Sequence, residues 1–576
     1  SRSMSTVAQG ELTRPKITSI YCEVQVRNHG IMNHQIYSDI FTASSAAPSS
    51  SEATLIVSPG METQSLLDSI YAASFEGIGC NKFMNAYCIN LERLSIQAHL
   101  TAGVISTSQS NLVSTSSSIT SPNPFASSSL EGFQNSTPTE YIVEAFLENT
   151  EKLEDLIKTL LALEYWKENI LFRKGEGIKG EREEEDEVEF ELEGGERGVL
   201  DEYESLNNVD GGKEADDSGA TRGLAPLLAA NGNSLRAAFV LHAETTIVSM
   251  LNLVFFKGIP PAFLEGDGDQ FLLSLVDYCA RQLAFLGTPV FANAALRRQK
   301  NPLSATNLSA YLTTRSRLDE IQDSFNDESY KTAIAAVSLA RYLCENTKDL
   351  PASIVSRMLE VHDWPLLMVP LIEEPPWTRR RQVVVVVAEQ KDDDRTSTKI
   401  VWEKLNDNNE WSEVPPHELL VLTKAEGQPW LALFHLTTCH VCRESYGLDE
   451  FRKAQLMRLR RYINEALTDQ LPVLQEVARY LDELSILGVP AIGGGVHRPS
   501  SNASSSGLLL QRVDSLRESV IGEKTVHDDD HLDDIVKHQW DTIFCHVTDA
   551  NDEVLKRLAL EVYDGPGSDD VREYSN

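Results

Sequence analysis

The densest cluster of side chains able to do chemistry comprises His527, Asp528, Asp529, Asp530, His531, Asp533 and Asp534. His527 and His531 are spaced i, i+4, so a helix would carry both imidazoles on one face. Such a face suits a metal ion, and a metal-dependent enzyme would be built on it. The competing reading is a solvated, acidic helix start, where carboxylates favour the positive end of the helix dipole. That reading outweighs the metal. Cys439-His440-Val441-Cys442 is a single CxxC pair. A structural zinc site needs about four ligands, commonly from two such pairs, and no second pair exists. With no βαβ pattern beside it, a redox motif is not indicated either. The pair reads as a loop with two incidental thiols. His242-Ala243-Glu244 has the look of a metalloprotease helix, but position 246 is Thr246, so HExxH fails. Gly493-Gly494-Gly495 has no P-loop lysine, and no G-x-S-x-G occurs.

No catalytic, cofactor-binding or metal-ligating residue is therefore assigned. Trp364, Trp377 and Trp430 read as core anchors. Were they exposed, aromatic side chains would be the type that dominates partner binding. Trp377, Trp430 and His538 are the weak candidates for partner contact.

The elements that must position these residues are helical. Pro351 to Arg381 reads as two short helices in the middle of a helical stack. Ile354, Val355, Met358 and Leu359 form one stripe, His362-Asp363 breaks it with Asp363 as a cap, and Leu366 to Ile372 make a helix apolar almost all round. Ile334 to Leu343 should be an inner helix, whereas residues 288–326 are polar and read as a loop. Val383 to Ala388, Lys399 to Trp402 and Glu410 to Val414 suggest a small β-hairpin over 383–414, with Arg379 to Arg381 and Lys391 to Arg395 as flanking charges against aggregation.

From these signals the chain divides as follows. Residues 1–53 are a mostly disordered extension with one candidate strand at Ile17 to Val26. A first helical segment covers 54–172, interrupted by a Ser/Thr-rich loop at 104–136. Residues 173–234 form a disordered acidic insert, in which Lys174 to Asp217 holds eighteen acidic against five basic residues. A central helical array spans 235–488 and contains the hairpin. A Gly/Ser linker at 489–507 leads to a C-terminal helical segment at 508–564 and a disordered tail at 565–576. The expected fold is all-α, an irregular armadillo- or HEAT-like array with disordered inserts.

The net charge of −35 over 576 residues argues against a nucleic-acid partner, because phosphate would be repelled on average. The eight scattered cysteines suit reduced thiols in a cytosolic compartment. The best membrane candidate, Ile247 to Phe256, is far short of the roughly twenty apolar residues a span requires. No membrane partner is expected.

Several blocks, in order, resemble one family. They are NLERLSIQAHL (Asn90 to Leu100), LIKTLLALEYWKENIL (Leu156 to Leu171), HAETTIVSMLNLVFFK (His242 to Lys257) and LLSLVDYCARQL (Leu272 to Leu283). SRMLEVHDWPLLMVPLIEEPPWTRR (Ser356 to Arg380), the run Lys424 to Leu433 containing EGQPWLAL, KAQLMRLRRYINEALTDQLPVL (Lys453 to Leu474) and IVKHQWDTIF (Ile535 to Phe544) follow. The set resembles the zinc finger MYND domain-containing protein ten family of axonemal dynein-arm assembly factors. The resemblance implies a non-enzymatic cytoplasmic scaffold or co-chaperone for dynein-arm preassembly in motile cilia and cilium biogenesis. Implied partners are a leucine-rich-repeat dynein assembly factor, an FKBP-type immunophilin, heat-shock chaperones and dynein heavy chain clients. The implied location is the cytoplasm, near the ciliary base or centriolar satellites. Family members carry a C-terminal MYND finger made of several CxxC-like pairs. Here the last cysteine is Cys545 and the sequence stops at Asn576. Zinc is expected only with that finger, and no cofactor is expected in these residues. A general armadillo-like adaptor is the alternative of the same class.

Overall fold

The computed structural model describes residues 61–99, 138–173, 223–264, 268–288, 316–386, 396–406, 411–487, 516–521 and 529–558. They form an irregular helical array with one small antiparallel sheet. The candidate strand at Ile17 to Val26, the Ser/Thr-rich loop at 104–136, the linker at 489–507 and the tail at 565–576 lie outside the described residues.

At the centre stands a 29-residue helix, Arg317–Glu345 (hereafter the long helix). Its first ten residues fall in the stretch read from sequence as loop. The reason is a reciprocal cap: the Asp319 amide donates to the Ser316 hydroxyl, and the Ser316 amide donates to the Asp319 carboxylate, each at 3.1 Å. Two of the otherwise orphan amides of the first turn are thus satisfied, so helix can begin in polar sequence. Further along, Ala333, Ala336, Val337, Ala340 and Cys344 are buried. Small side chains there let neighbouring helices approach closely. Those neighbours are Ser234–Lys257, Asp269–Leu286 and Lys424–Thr438.

Ser234–Lys257 is 24 residues long and, by length and composition, apolar enough to cross a membrane. It is thus more than twice the segment Ile247 to Phe256 singled out from sequence. Here it is an inner helix with apolar residues on nearly every face, packed between the long helix and Thr150–Trp166. Just before it, Ala225–Asn231 is helical and ends on Gly232 in the left-handed region (φ 81°). That helix occupies the end of the segment 173–234 read as disordered; residues 174–222 lie outside the described residues.

The hairpin expected over 383–414 is present as a three-stranded meander of Thr378–Val386, Thr396–Leu405 and Trp411–Val414. It begins five residues earlier than expected, so Arg379 to Arg381 lie inside the first strand and do not merely flank it. Arg379 and Arg381 both bind the buried Glu403 carboxylate, at 2.8 and 3.0 Å, and the Arg380 guanidinium stacks over Trp402. Lys391 to Arg395 lie outside the described residues. The sheet is tied to the helices through Glu426. Its carboxylate accepts the Thr423 amide at 2.9 Å as part of a capping box and takes the Lys404 ammonium at the same distance.

The segment 516–558 does not stand apart behind its linker. It folds back onto the first helices. Gln539, fully buried, accepts the Trp166 indole N–H at 2.9 Å and donates to the carbonyls of Phe75 (2.7 Å) and Glu76 (3.0 Å). Arg236, 1% exposed, pairs with Asp552 and donates to the Gly79 carbonyl and to Asn81. Asp549 accepts the amides of Leu235 and Arg236 at the start of Ser234–Lys257. A buried cation with every guanidinium nitrogen donating is tolerated, and here it joins three segments distant in sequence.

Candidate functional site

Chemistry needs converging titratable residues, and the interior holds several ionic groups. His242 lies between two carboxylates: Nδ1 is 2.9 Å from Glu328 and Nε2 is 3.5 Å from Glu92. Burial alone would favour neutral imidazole, but Glu328 and Glu92 outweigh it and raise its pKa to about 10. Burial likewise opposes the Glu328 carboxylate, yet His242 and Lys331 hold it well below the usual range. Two residues on, Glu244 takes Lys167 at 2.7 Å and the Tyr278 hydroxyl at 2.9 Å. Glu164, with no side-chain exposure, is clamped by Nε and one terminal nitrogen of Arg281. Each of these acids is engaged in holding one helix to another. They cement the array.

The turn between Ala352–Ser356, with its continuation Arg357–Val361, and Trp364–Glu373 is a different kind of place. Asp277 receives Arg357 through two hydrogen bonds of 2.7 and 2.8 Å and His362 at 2.5 Å. Burial pushes this carboxyl up, but His362 and Arg357 bring it down to about 2. Glu360 accepts the Gly447 amide at 2.9 Å. Asp363 occupies the cap position expected of it, but its side chain makes no capping bond. It sits at φ 50°, and among the described residues it is the sole non-glycine at positive φ. Its carboxylate instead accepts Arg452 at 2.6 Å and the Tyr446 hydroxyl at 2.7 Å.

That anchorage lays Glu450–Arg458 beside Trp364–Glu373 and opens a cleft of about 370 Å³ between them. Leu366, Val369, Pro370 and Phe451 supply its apolar wall. Glu373, Glu374, Gln455 and Arg458 supply a polar rim. At the rim, Glu373 binds both Arg458 and Arg461, so one nearly buried carboxylate faces two half-exposed guanidiniums. Phe451 is 64% exposed. An exposed aromatic at the edge of an apolar cleft with charged surroundings has the make-up of a protein-contact site, not of a catalytic one.

The residues singled out from sequence fall elsewhere. Trp377 and Trp430 are 2% and 5% exposed, so neither offers a partner surface; both fill the core. His538 is exposed on Asp529–Gln539, where its neighbour Gln539 does the structural bonding. His527 and Asp528 lie outside the described residues, His531 is exposed, and Asp533 pairs with Arg173 at 2.6 Å. Among the described residues no three His, Cys, Asp or Glu side chains converge as a metal site would require. Cys439 and Cys442 are not in a loop: Cys439 precedes the helix His440–Ser445, Cys442 lies in its first turn, and both are buried. Phe451 was missed because a lone phenylalanine on a polar helix carries no sign of its own exposure.

Several curated proteins are similar to this chain. The zinc finger MYND domain-containing protein 10 homolog of Drosophila melanogaster is 25% identical over 330 residues, 57% of this chain. The match spans 62% of that protein's own length. No family model matches, and no solved structure matches. Over the matched residues the chain is similar to that protein, whose name is that of the family its ordered sequence blocks resemble.

Proposed function

We propose that the protein is a non-enzymatic scaffold for cytoplasmic preassembly of axonemal dynein arms. The observation that carries this reading is the match to the Drosophila protein over 330 residues. The architecture is compatible with it: a mostly helical array whose interior acids are occupied in joining helices, with an apolar cleft at the surface. In this reading the partners are a leucine-rich-repeat assembly factor, an FKBP-type immunophilin and heat-shock chaperones, with dynein heavy chains as clients. The scaffold works without a resident cofactor in these residues. The Phe451 cleft is the contact for one of those partners.

The test is affinity purification of the full-length protein from cells building motile cilia, with quantitative mass spectrometry, beside depletion of the protein. Recovery of dynein heavy chains and of a leucine-rich-repeat factor, and loss of soluble heavy chains on depletion, is the expected result. Recovery of an unrelated complex with heavy-chain levels unchanged would overturn the assignment and leave a general adaptor.

A further inference from the structure

We propose that Cys439 and Cys442 form a thiol–disulfide exchange site, with Cys439 as the attacking sulfur, Cys442 as the resolving sulfur and glutathione-type disulfides as reactants. The starting point is placement. The Cys439 amide donates to the His435 carbonyl at 3.0 Å and so closes Lys424–Thr438. Its own carbonyl accepts the Arg443 amide at 3.0 Å and so opens His440–Ser445. The Cys442 carbonyl in turn accepts the Tyr446 amide at 2.9 Å. Both cysteines are therefore held by ordered backbone, three residues apart across a first helical turn. Their thiols lie within hydrogen-bonding reach of each other, so a disulfide, whose Cβ atoms sit about 3.5–4.5 Å apart, needs only a local adjustment.

The two thiols differ in the way exchange requires. Cys439 keeps 6% of its surface exposed, whereas Cys442 has none. An outer sulfur can be reached by a small disulfide, and an inner one is protected until its neighbour has reacted. Thr347, just past the long helix and itself buried, places its hydroxyl against both thiols. Protonation follows the same order. Burial raises the Cys439 pKa, but the Cys442 amide, the Thr347 hydroxyl and the Val441 amide outweigh it and leave it below the ordinary value. Burial pushes Cys442 up to about 12, with Cys439 adding and Thr347 opposing. Incidental buried cysteines behave as Cys344 and Cys279 do, both fully buried and both pushed up by burial.

The chemistry balances without a metal or a cofactor. The Cys439 thiolate attacks one sulfur of oxidised glutathione, whose S–S bond breaks, and one glutathione leaves and is protonated. Cys442 then attacks Sγ of Cys439 in the mixed disulfide, whose bond to glutathione breaks, and the departing glutathione thiolate takes up the proton that Cys442 gives up. Two protein thiols are oxidised to one disulfide, one glutathione disulfide is reduced to two thiols, and the two protons pass to glutathione.

The experiment equilibrates the full chain in buffers of varied reduced-to-oxidised glutathione ratio, traps free thiols with an alkylating agent in acid, and maps peptides. Expected is a Cys439–Cys442 disulfide that forms and reverses with the ratio, while Cys279 and Cys344 stay reduced and the far-UV circular dichroism stays native. In Cys442→Ser a glutathione adduct should accumulate on Cys439. In Cys439→Ser no adduct should form on Cys442. Absence of the disulfide at every ratio in the native wild-type chain overturns the proposal, as does an adduct preferring Cys442. The wild-type measurement decides the matter even if a variant fails to fold.

Discussion

The carboxylate of Asp363 meets the guanidinium of Arg452 at 2.6 Å from a backbone held at φ 50°. A side chain other than glycine pays roughly 1–2 kcal/mol for the left-handed conformation. The ion pair, together with the Tyr446 hydroxyl, holds the residue there and sets the angle at which Glu450–Arg458 meets Trp364–Glu373. Asp363→Ala keeps the strain and loses both bonds, so it should cost about 2 kcal/mol. Asp363→Gly loses the same bonds but relieves the strain, and should cost about 1 kcal/mol less. Urea midpoints of the two variants check this; an equal loss in both would show that the backbone is not strained.

Trp430 and Phe451 should separate stability from contact. Trp430→Ala removes a buried indole and should destabilise by about 3–5 kcal/mol. Phe451→Ala truncates an exposed ring and should stay within about 0.5 kcal/mol of the parent, yet reduce recovery of the partner that uses the cleft. Thermal unfolding and quantitative co-purification, run on the same preparations, give the two readouts. Unchanged co-purification with Phe451→Ala would remove the cleft from the interaction.

These contrasts mark what sequence could carry. Helical stripes such as Ile354, Val355, Met358 and Leu359 repeat at a period that survives any tertiary arrangement, so the helical class and the burial of Trp377 and Trp430 were legible. The start of the long helix was not, because its signal is the single Ser316–Asp319 box in a polar stretch. Nor were the bonds from Gln539 to Trp166 or from Arg236 to Asp552, whose partners lie hundreds of residues apart and leave no local pattern. The π-helical turns at Met84–Leu91, Lys167–Leu171, Arg357–Val361 and Trp540–Phe544 likewise have no compositional mark. At the cleft, the sequence showed Phe451 but not its exposure, which depends on where Asp363 places the helix.

His242 should give the fold a dependence on alkaline pH. Its folded pKa is raised from 6.5 to about 10 by Glu328 and Glu92 against the opposing effect of burial. A group raised in the folded state contributes stability that is complete below its unfolded pKa and is lost as pH rises through the folded value. The contribution should therefore decline between about pH 6.5 and 10. His242→Gln should abolish that part of the slope, and the difference between wild type and variant isolates it from lysine and tyrosine titration. Urea midpoints across the range are the measurement, and parallel curves would refute the assignment.

Gln539 offers the most direct test of how the C-terminal segment is held. Its amide accepts the Trp166 indole N–H and donates to two carbonyls of the turn Phe75–Gly77; the bonds to Trp166 and Phe75 are buried and the one to Glu76 is partly so. Leucine is of similar size but can neither accept nor donate. Gln539→Leu would leave one buried donor and two acceptors unpaired, and should destabilise by about 1–3 kcal/mol. Gln539→Glu keeps the acceptor for Trp166 but sets a carboxylate against the Phe75 and Glu76 carbonyls, so it should be at least as damaging at neutral pH. Lowering the pH protonates that carboxyl and restores one donor, so part of the loss in Gln539→Glu should recover in acid while Gln539→Leu stays low. Hydrogen exchange at residues 529–544 and 75–77 reads the effect locally. Faster exchange confined to both segments is the expected pattern, and faster exchange in one alone would show that Gln539 does not join them.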